Sequence, residues 1–192
     1  MDVPNLIIVG GPNGSGKSTF ALDHSRSTGI RYLGADQIAF QISPEDPAAA
    51  RVEASRRFLS SIRESIETHD SLIVESTLAG KSLRNLIGTA KSAGYRVTIV
   101  FVFLDSADSC VERVRQRVQL GGHDVPETDI RRRFPRAITN FWQTYRLLAD
   151  FWLLVYNSDT TPENVAFGND QNTIVRIRHH FDLFQSIVET ND

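Results

Sequence analysis

The sequence predicts an α/β fold: a mostly parallel five-stranded central sheet with helices on both faces, in three layers. Two observations carry this reading. Short apolar runs of strand length alternate along the chain with longer segments of helical periodicity. One of those runs, Arg96–Leu104, is apolar almost throughout, as a strand covered on both faces must be. The 192 residues suffice for one domain with a substantial core, and no linker, repeat or low-complexity tract divides them. Residues 1–192 are therefore read as a single domain.

The elements follow in order. Leu6–Val9 is the first strand. A helix starts near Lys17 and fades near Ser27, with Gly29 as its stop signal. A second strand, Arg31–Leu33, runs out at Ala35-Asp36. Pro47 suits the start of a long helix ending near His69-Asp70, with Val52, Leu59, Ile62 and Ile66 on one face. The third strand is Ser71–Glu75. A helix over Ser82–Ala93 stops at Gly94, and Arg96–Leu104 is the fourth strand. Ala107–Gln119 reads as a helix broken by Gly121-Gly122, and Pro126 opens another that runs to about Ala149. The fifth strand is Phe151–Tyr156. Beyond it, Val165–Phe167 and Thr173–Ile177 flank Gly168-Asn169-Asp170 in the pattern of a C-terminal hairpin, and a short helix covers Phe181–Val188.

Composition narrows the function. The formal net charge is −2, which disfavours a protein that coats nucleic acid. The cations are unevenly chosen: three lysines (Lys17, Lys81, Lys91) against eighteen arginines, seven of them between Arg113 and Arg136. Clustered arginine suits bidentate recognition of phosphate. Cys110 is the single cysteine, so no intrachain disulfide forms, and its helical flanks predict a buried, inert thiol. The longest apolar runs, Leu6–Val9 and Val97–Leu104, fall far short of a membrane span. Met1-Asp2-Val3-Pro4-Asn5 lacks a basic leader, so a cytoplasmic location is the expectation.

The strongest motif is Gly11-Pro12-Asn13-Gly14-Ser15-Gly16-Lys17-Ser18, a full match to G-x-x-x-x-G-K-[ST] between an apolar strand and a helix. Each residue type has a physical role. Gly14 and Gly16 let successive backbone N–H groups converge on one anion, and the helix N-terminus adds its positive end. Lys17 sets a compact charge against the terminal phosphates of a nucleoside triphosphate. The Ser18 hydroxyl is a Mg²⁺ ligand, and Thr19 caps the turn or meets the α-phosphate. A guanine-reading Asn-Lys-x-Asp is absent, as is a hydrophobic strand ending in Asp-Glu of the motor and transporter type. What remains is the layout of a small P-loop kinase using ATP and Mg²⁺.

Further site candidates sit where strands end, because the carboxyl ends of parallel strands face the site. Asp36 follows the second strand and is placed to take a proton from an acceptor hydroxyl, or else only caps the next turn. Glu75 and Thr77 end the third strand, expected beside the first, near Mg²⁺ and the acceptor. Asn157 ends the fifth strand, where it would read adenine. Residues 107–149 form an Arg-rich helical lid, hinged at Gly121-Gly122, whose arginines neutralise the transferring phosphoryl group. Arg113 and Arg117 share one helix face, as do Arg132 and Arg136, while Arg133 points elsewhere. His123 in the hinge is a substrate-contact candidate.

In the ordered set Gly11-Pro12-Asn13-Gly14-Ser15-Gly16-Lys17-Ser18-Thr19-Phe20, Gly34-Ala35-Asp36-Gln37-Ile38-Ala39 and Glu75-Ser76-Thr77-Leu78-Ala79-Gly80, the chain resembles the shorter members of the zeta toxin family. The most distinctive piece runs from Arg117 through Gly121-Gly122-His123-Asp124-Val125-Pro126 to Ile130-Arg131-Arg132-Arg133-Phe134, with Arg136 and Asn140 beyond. The resemblance implies a P-loop kinase acting on a nucleotide-linked sugar such as UDP-N-acetylglucosamine. It implies Asp36 as general base, Lys17 as phosphate ligand, Glu75 and Thr77 at the acceptor, and arginines around Arg117 and Arg132–Arg133 as charge neutralisers. It leaves open which of Arg131, Arg132 and Arg133 meets phosphate, and it brings an antitoxin protein among the candidate partners. The competing readings are a nucleotide or polynucleotide-end kinase and a non-catalytic, ATP-gated binding module.

Overall fold

A computed structural model describes residues 3–47, 49–157 and 161–190. The chain runs β1 (Asn5–Gly10), α1 (Lys17–Thr28), β2 (Arg31–Gly34), α2 (Ala35–Ile42), α3 (Arg51–Thr68), β3 (Leu72–Ser76), α4 (Leu83–Ser92), β4 (Arg96–Phe103) and α5 (Ala107–Gln119). Then come α6 (Glu127–Asn140), a π-helical turn (Phe141–Tyr145), α7 (Arg146–Leu148), β5 (Phe151–Asn157), β6 (Pro162–Gly168), β7 (Thr173–Val175) and α8 (Arg178–Thr190).

Among the described residues the sheet has seven strands, not five, in the order β2-β3-β1-β4-β5-β6-β7. The first five are parallel, and the C-terminal hairpin continues the same sheet antiparallel to β5. The hairpin was legible as a hairpin; where its edge would pair was not. Paired with β5, it covers the unpaired backbone groups that this edge would otherwise present.

Alternation of side chains splits the sheet residues between two faces. Leu6, Ile8, Leu72, Val74, Val97, Ile99 and Phe101 join the main core with α3, α4, α6 and α8. Val9, Ile73, Val100 and Val102 pack on the other face against Phe20 and Ala21 of α1. β4 is buried along nearly its whole length, as its unbroken apolar run requires.

Three local differences from expectation have physical causes. α2 leaves β2 with no loop, and its N-cap, Gly34, offers no side-chain hydrogen bond, so no capping signal marks it. α3 begins at Arg51, four residues beyond Pro47, and Val52 is exposed while Phe58 takes a core place. α6 passes into a π turn in which both Phe141 and Tyr145 are fully buried.

Candidate active site

β1 lies between β3 and β4, and its chain leaves toward β2 while β4 leads on to β5. The crevice at such a switch point, at the carboxyl ends of the strands, is where α/β sheets bind ligands. Register fixes what meets there. Glu75 stands opposite Val9 on one side and Gly34 on the other, so β1, β2 and β3 end level. Asp36 follows two residues beyond Gly34, in the first turn of α2.

The loop after β1 makes a cradle. Gly14 takes φ 82°, and a Cβ there would come within 2.5 Å of the Cys110 carbonyl oxygen. Asn157, at the end of β5, donates from Nδ2 to the Ser15 carbonyl at 2.7 Å and occupies the space a Cβ on Gly16 would need. Arg113 in turn donates to the Asn157 carbonyl at 2.9 Å. The loop is thereby tied to β5 and to the first lid helix. Asn13 Oδ1 and Ser15 Oγ are buried in it with no hydrogen-bond partner. Buried polar atoms without partners are rare; the Ser15 hydroxyl can donate to an anion held in the cradle, whereas the Asn13 amide oxygen can only accept.

Lys17 is buried, donates from Nζ to the Pro12 carbonyl at 2.8 Å and stands 4.0 Å from Glu75. Burial pulls its pKa below the usual lysine range, while Glu75 and Asp36 oppose that shift and Arg117 adds to it. Glu75 is held from two sides: Ser18 Oγ donates to Oε1 at 3.0 Å and Tyr32 donates to Oε2 at 2.6 Å. Burial, then the neighbouring Glu75 carboxylate, raise the Tyr32 pKa, so the phenol remains a donor. Ser18 and Glu75 thus bring together two hard oxygen donors of the kind Mg²⁺ takes alongside substrate phosphates. Among the described residues no group of three or more His, Cys, Asp or Glu could hold a metal without such help.

The loop after β3 is braced. Leu78 sits at φ 54°, unusual for a residue with a side chain. Asn140 donates to its carbonyl at 2.9 Å, Tyr145 donates to that of Gly80 at 2.6 Å, and the Leu78 side chain is buried against Gly10. This bracing places Thr77, whose hydroxyl accepts from Ala79 N at 3.4 Å.

The turn between α5 and α6 closes α5 in a Schellman motif. Gly121 N bonds the Val118 carbonyl and Gly122 N the Arg117 carbonyl, both at 2.9 Å, with Gly121 at φ 82°. Arg117 then donates to the His123 carbonyl at 2.6 Å.

The result is a cleft of about 1080 Å³ that reaches Lys17, Ser18, Asp36, Glu75, Arg117 and Asn157. A smaller recess of about 160 Å³ adjoins it, sharing Asn13 and Asp36 and adding Arg51, Ser55, His123 and Arg133. Asp36 makes no hydrogen bond or ion pair among the described residues, so its carboxylate is not used as a cap.

Other expected residues fall elsewhere. Arg132 is paired with Asp129 at 2.6 Å, is half-exposed and lines neither cavity. Arg133, which pairs with the same carboxylate at 2.9 Å, lines the recess. Arg131 pairs with Glu127 and Asp108, at 2.8 and 2.7 Å. Arg136 is exposed, and neither it nor Thr77 lines a cavity. Arg51 and Ser55 of α3 were not singled out from the sequence, since on a helix they look like any solvated face.

A family model described as AAA domain matches residues 6–134. The chain belongs to the AAA domain family. The match takes in the cradle, Asp36, Glu75 and the lid up to Phe134, so the family shown is broader than the zeta toxin resemblance. An uncharacterized protein of Haemophilus influenzae is 32% identical over 124 residues, 65% of this chain and 88% of that protein. Among solved structures, this AAA domain chain is similar to one chain of the AvrRxo1-ORF1:-ORF2 complex with ATP, at TM-score 0.72 and 18% identity over 97% of its own length. It spans 64% of that chain. It also resembles a chain of the PezAT toxin-antitoxin system of Streptococcus pneumoniae, at TM-score 0.65 and 14% identity, covering 100% of this chain and 85% of that one. A gluconokinase from Sinorhizobium meliloti 1021 matches at TM-score 0.50 and 16% identity, covering 99% and 97%. At these identities the likeness establishes a P-loop kinase-like fold. Among the described residues no helix is long and apolar enough to cross a membrane.

Proposed function

We propose that this chain is an ATP- and Mg²⁺-dependent kinase that phosphorylates a hydroxyl of a small acceptor, a UDP-sugar such as UDP-N-acetylglucosamine being the leading class. One observation carries the reading: an unpaired carboxylate, Asp36, borders the same cleft as the phosphate cradle and Lys17. Triphosphate fits the cradle, with the loop's backbone N–H groups and the Ser15 hydroxyl supplying hydrogen bonds, Lys17 a charge, and Arg117 a further one. Ser18 and Glu75 would hold Mg²⁺, which when bound shields the phosphate charge.

In the proposed transfer the acceptor oxygen forms a bond to the γ-phosphorus as the bond from that phosphorus to the β,γ-bridging oxygen breaks, and ADP leaves with that oxygen. The acceptor's proton passes to Asp36. Arg117 stabilises charge on the moving group, helped by a site whose donors are already in place. Most of the remaining lid arginines serve the lid itself: Arg115, Arg131, Arg132 and Arg133 all pair with carboxylates. That pairing counts against a polynucleotide-end kinase, which needs free cations along a strand. The likeness to chains from AvrRxo1-ORF1:-ORF2 and PezAT extends the proposal to a protein partner of antitoxin type.

The test is phosphoryl transfer from labelled ATP into a bacterial metabolite extract, with mass spectrometry of the labelled species. Asp36→Ala is expected to lose about 10²–10⁴-fold in transfer while ATP affinity stays within a few-fold. Lys17→Ala is expected to lose ATP binding itself. If Asp36→Ala weakens ATP binding as much as Lys17→Ala does, Asp36 is not the base. If wild type binds ATP and labels nothing, the chain is a nucleotide-gated binding module instead.

A further inference from the structure

We infer that the recess beside Asp36 is an oxyanion subsite for the acceptor, with Arg51 as its principal anchor and Ser55 as its hydrogen-bonding partner. The inference rests on the kinase reading above and deepens it, because it says what the acceptor carries next to the hydroxyl that reacts.

The recess is built by four separate parts of the chain: the cradle loop through Asn13, α2 through Asp36, α3 through Arg51 and Ser55, and the lid through His123 and Arg133. Its volume of about 160 Å³ corresponds to roughly five water molecules. That is below the range of about 300–1,000 Å³ usual for whole-ligand pockets. It fits one functional group of an acceptor whose remainder lies in the adjoining cleft.

Charge says which group. Arg133 and Arg132 already share Asp129, at 2.9 and 2.6 Å. Arg51 makes no hydrogen bond or ion pair among the described residues, and it is felt at Asp129 only as a nearby positive charge. The recess is therefore lined by two arginines, one of them without a hydrogen bond or ion pair among the described residues, together with Ser55 and His123. A planar fork of N–H donors with a neighbouring hydroxyl is suited to phosphate or carboxylate, which accept two parallel hydrogen bonds. Asp36 stands at the boundary between recess and cleft. An acceptor anchored by its oxyanion in the recess would therefore present a neighbouring hydroxyl to Asp36, whereas an oxyanion placed on Asp36 itself would be repelled. A neutral sugar has no group for Arg51.

Two measurements test this. In the first, the full chain is saturated with a non-hydrolysable ATP analogue and Mg²⁺, which occupies the cradle, and inorganic phosphate is titrated by calorimetry. A parallel arm uses acetate, and chloride holds ionic strength constant. Wild type is expected to bind one further oxyanion, and Arg51→Gln to bind it about ten-fold or more weakly, with Ser55→Ala weakened less. The two arms separate a phosphate-bearing from a carboxylate-bearing acceptor. No further oxyanion, or binding indifferent to Arg51→Gln, overturns the subsite.

In the second, transfer from ATP is compared for glucose, gluconate, glucose 6-phosphate and UDP-N-acetylglucosamine. Arg51→Gln is expected to raise the acceptor KM by about ten-fold with the KM for ATP unchanged, and Arg51→Lys to restore part of the loss. An acceptor KM unmoved by Arg51→Gln, with Asp36→Ala still inactive, sinks the subsite and leaves the kinase standing. Oxyanion binding in the first experiment with no transfer to any acceptor, the metabolite extract included, has the reverse meaning.

Discussion

Gly14 packs so closely on the first lid helix that the Cys110 carbonyl fills the space of a side chain. A methyl group there meets backbone that cannot swing aside, and φ 82° is itself unfavourable for L-residues. Gly14→Ala is expected to shift the cradle, lose about ten-fold or more in ATP affinity and cost about 1–3 kcal/mol of stability. Nucleotide titration alongside thermal melting checks both; unchanged affinity would mean that the loop has slack. Cys110 itself is buried, and burial pushes its thiol up to about 12, which keeps it protonated near neutral pH. The residue scale also shows what an isolated motif hides. Lys17 and Ser18 are plain in the sequence, but the contacts that support them come from far away: Asn157 reaches Ser15 across 142 positions.

Among the elements, the start of α6 depends most visibly on charge. Asp129 and Glu127 open α6, where carboxylates also complement the helix dipole. The hydrogen bond from Arg132, then the charge of Arg133, hold Asp129 below the usual carboxylate range; the hydrogen bond from Arg131 leads the same effect on Glu127. Both pKa values are depressed in the fold. Their contribution is therefore complete above the unfolded carboxyl values and lost as pH falls through the folded ones, below about pH 4. Hydrogen exchange across Glu127–Arg133, corrected for intrinsic rates, is expected to lose protection in that window. In Asp129→Asn part of that loss is expected already at pH 7. Equal protection at pH 7 and pH 3 would show that the pairs do not support α6. The two helices of the lid were legible from Gly121-Gly122 and Pro126. Which arginines face the cleft was not, because Arg131, Arg132 and Arg133 are consecutive and α6 can present its turns only by packing against something. α2 was missed for a related reason: Gly34 ends the strand and begins the helix with no polar cap between them.

At the scale of the whole molecule, the C-terminal part is built into the fold. Phe184 of α8 is fully buried and meets Phe101, Phe103, Phe141 and Trp142 edge-on, at centroid distances from 5.1 to 6.1 Å. Through Phe141 this cluster supports the same π turn whose Tyr145 braces the loop after β3. Phe184→Ala is expected to cost about 3–5 kcal/mol, a large share of the ~5–15 kcal/mol of a typical domain. Urea unfolding followed by both tryptophan fluorescence and circular dichroism measures it. A loss under about 1 kcal/mol would mark α8 as an appendage.

The sequence by itself determined the α/β class, the parallel strands, the glycine-rich loop with its Lys17 and Ser18 between β1 and α1, and the two helices α5 and α6. Those features rest on local physics: periodicity, turn residues and a motif whose residues are neighbours in the chain. The tertiary structure alone decided that the hairpin extends the sheet to seven strands, that Arg133 rather than Arg132 reaches the recess, and that Arg51 and Ser55 stand beside Asp36. Each of these depends on which faces meet across many residues of intervening chain, and packing, not local propensity, selects that.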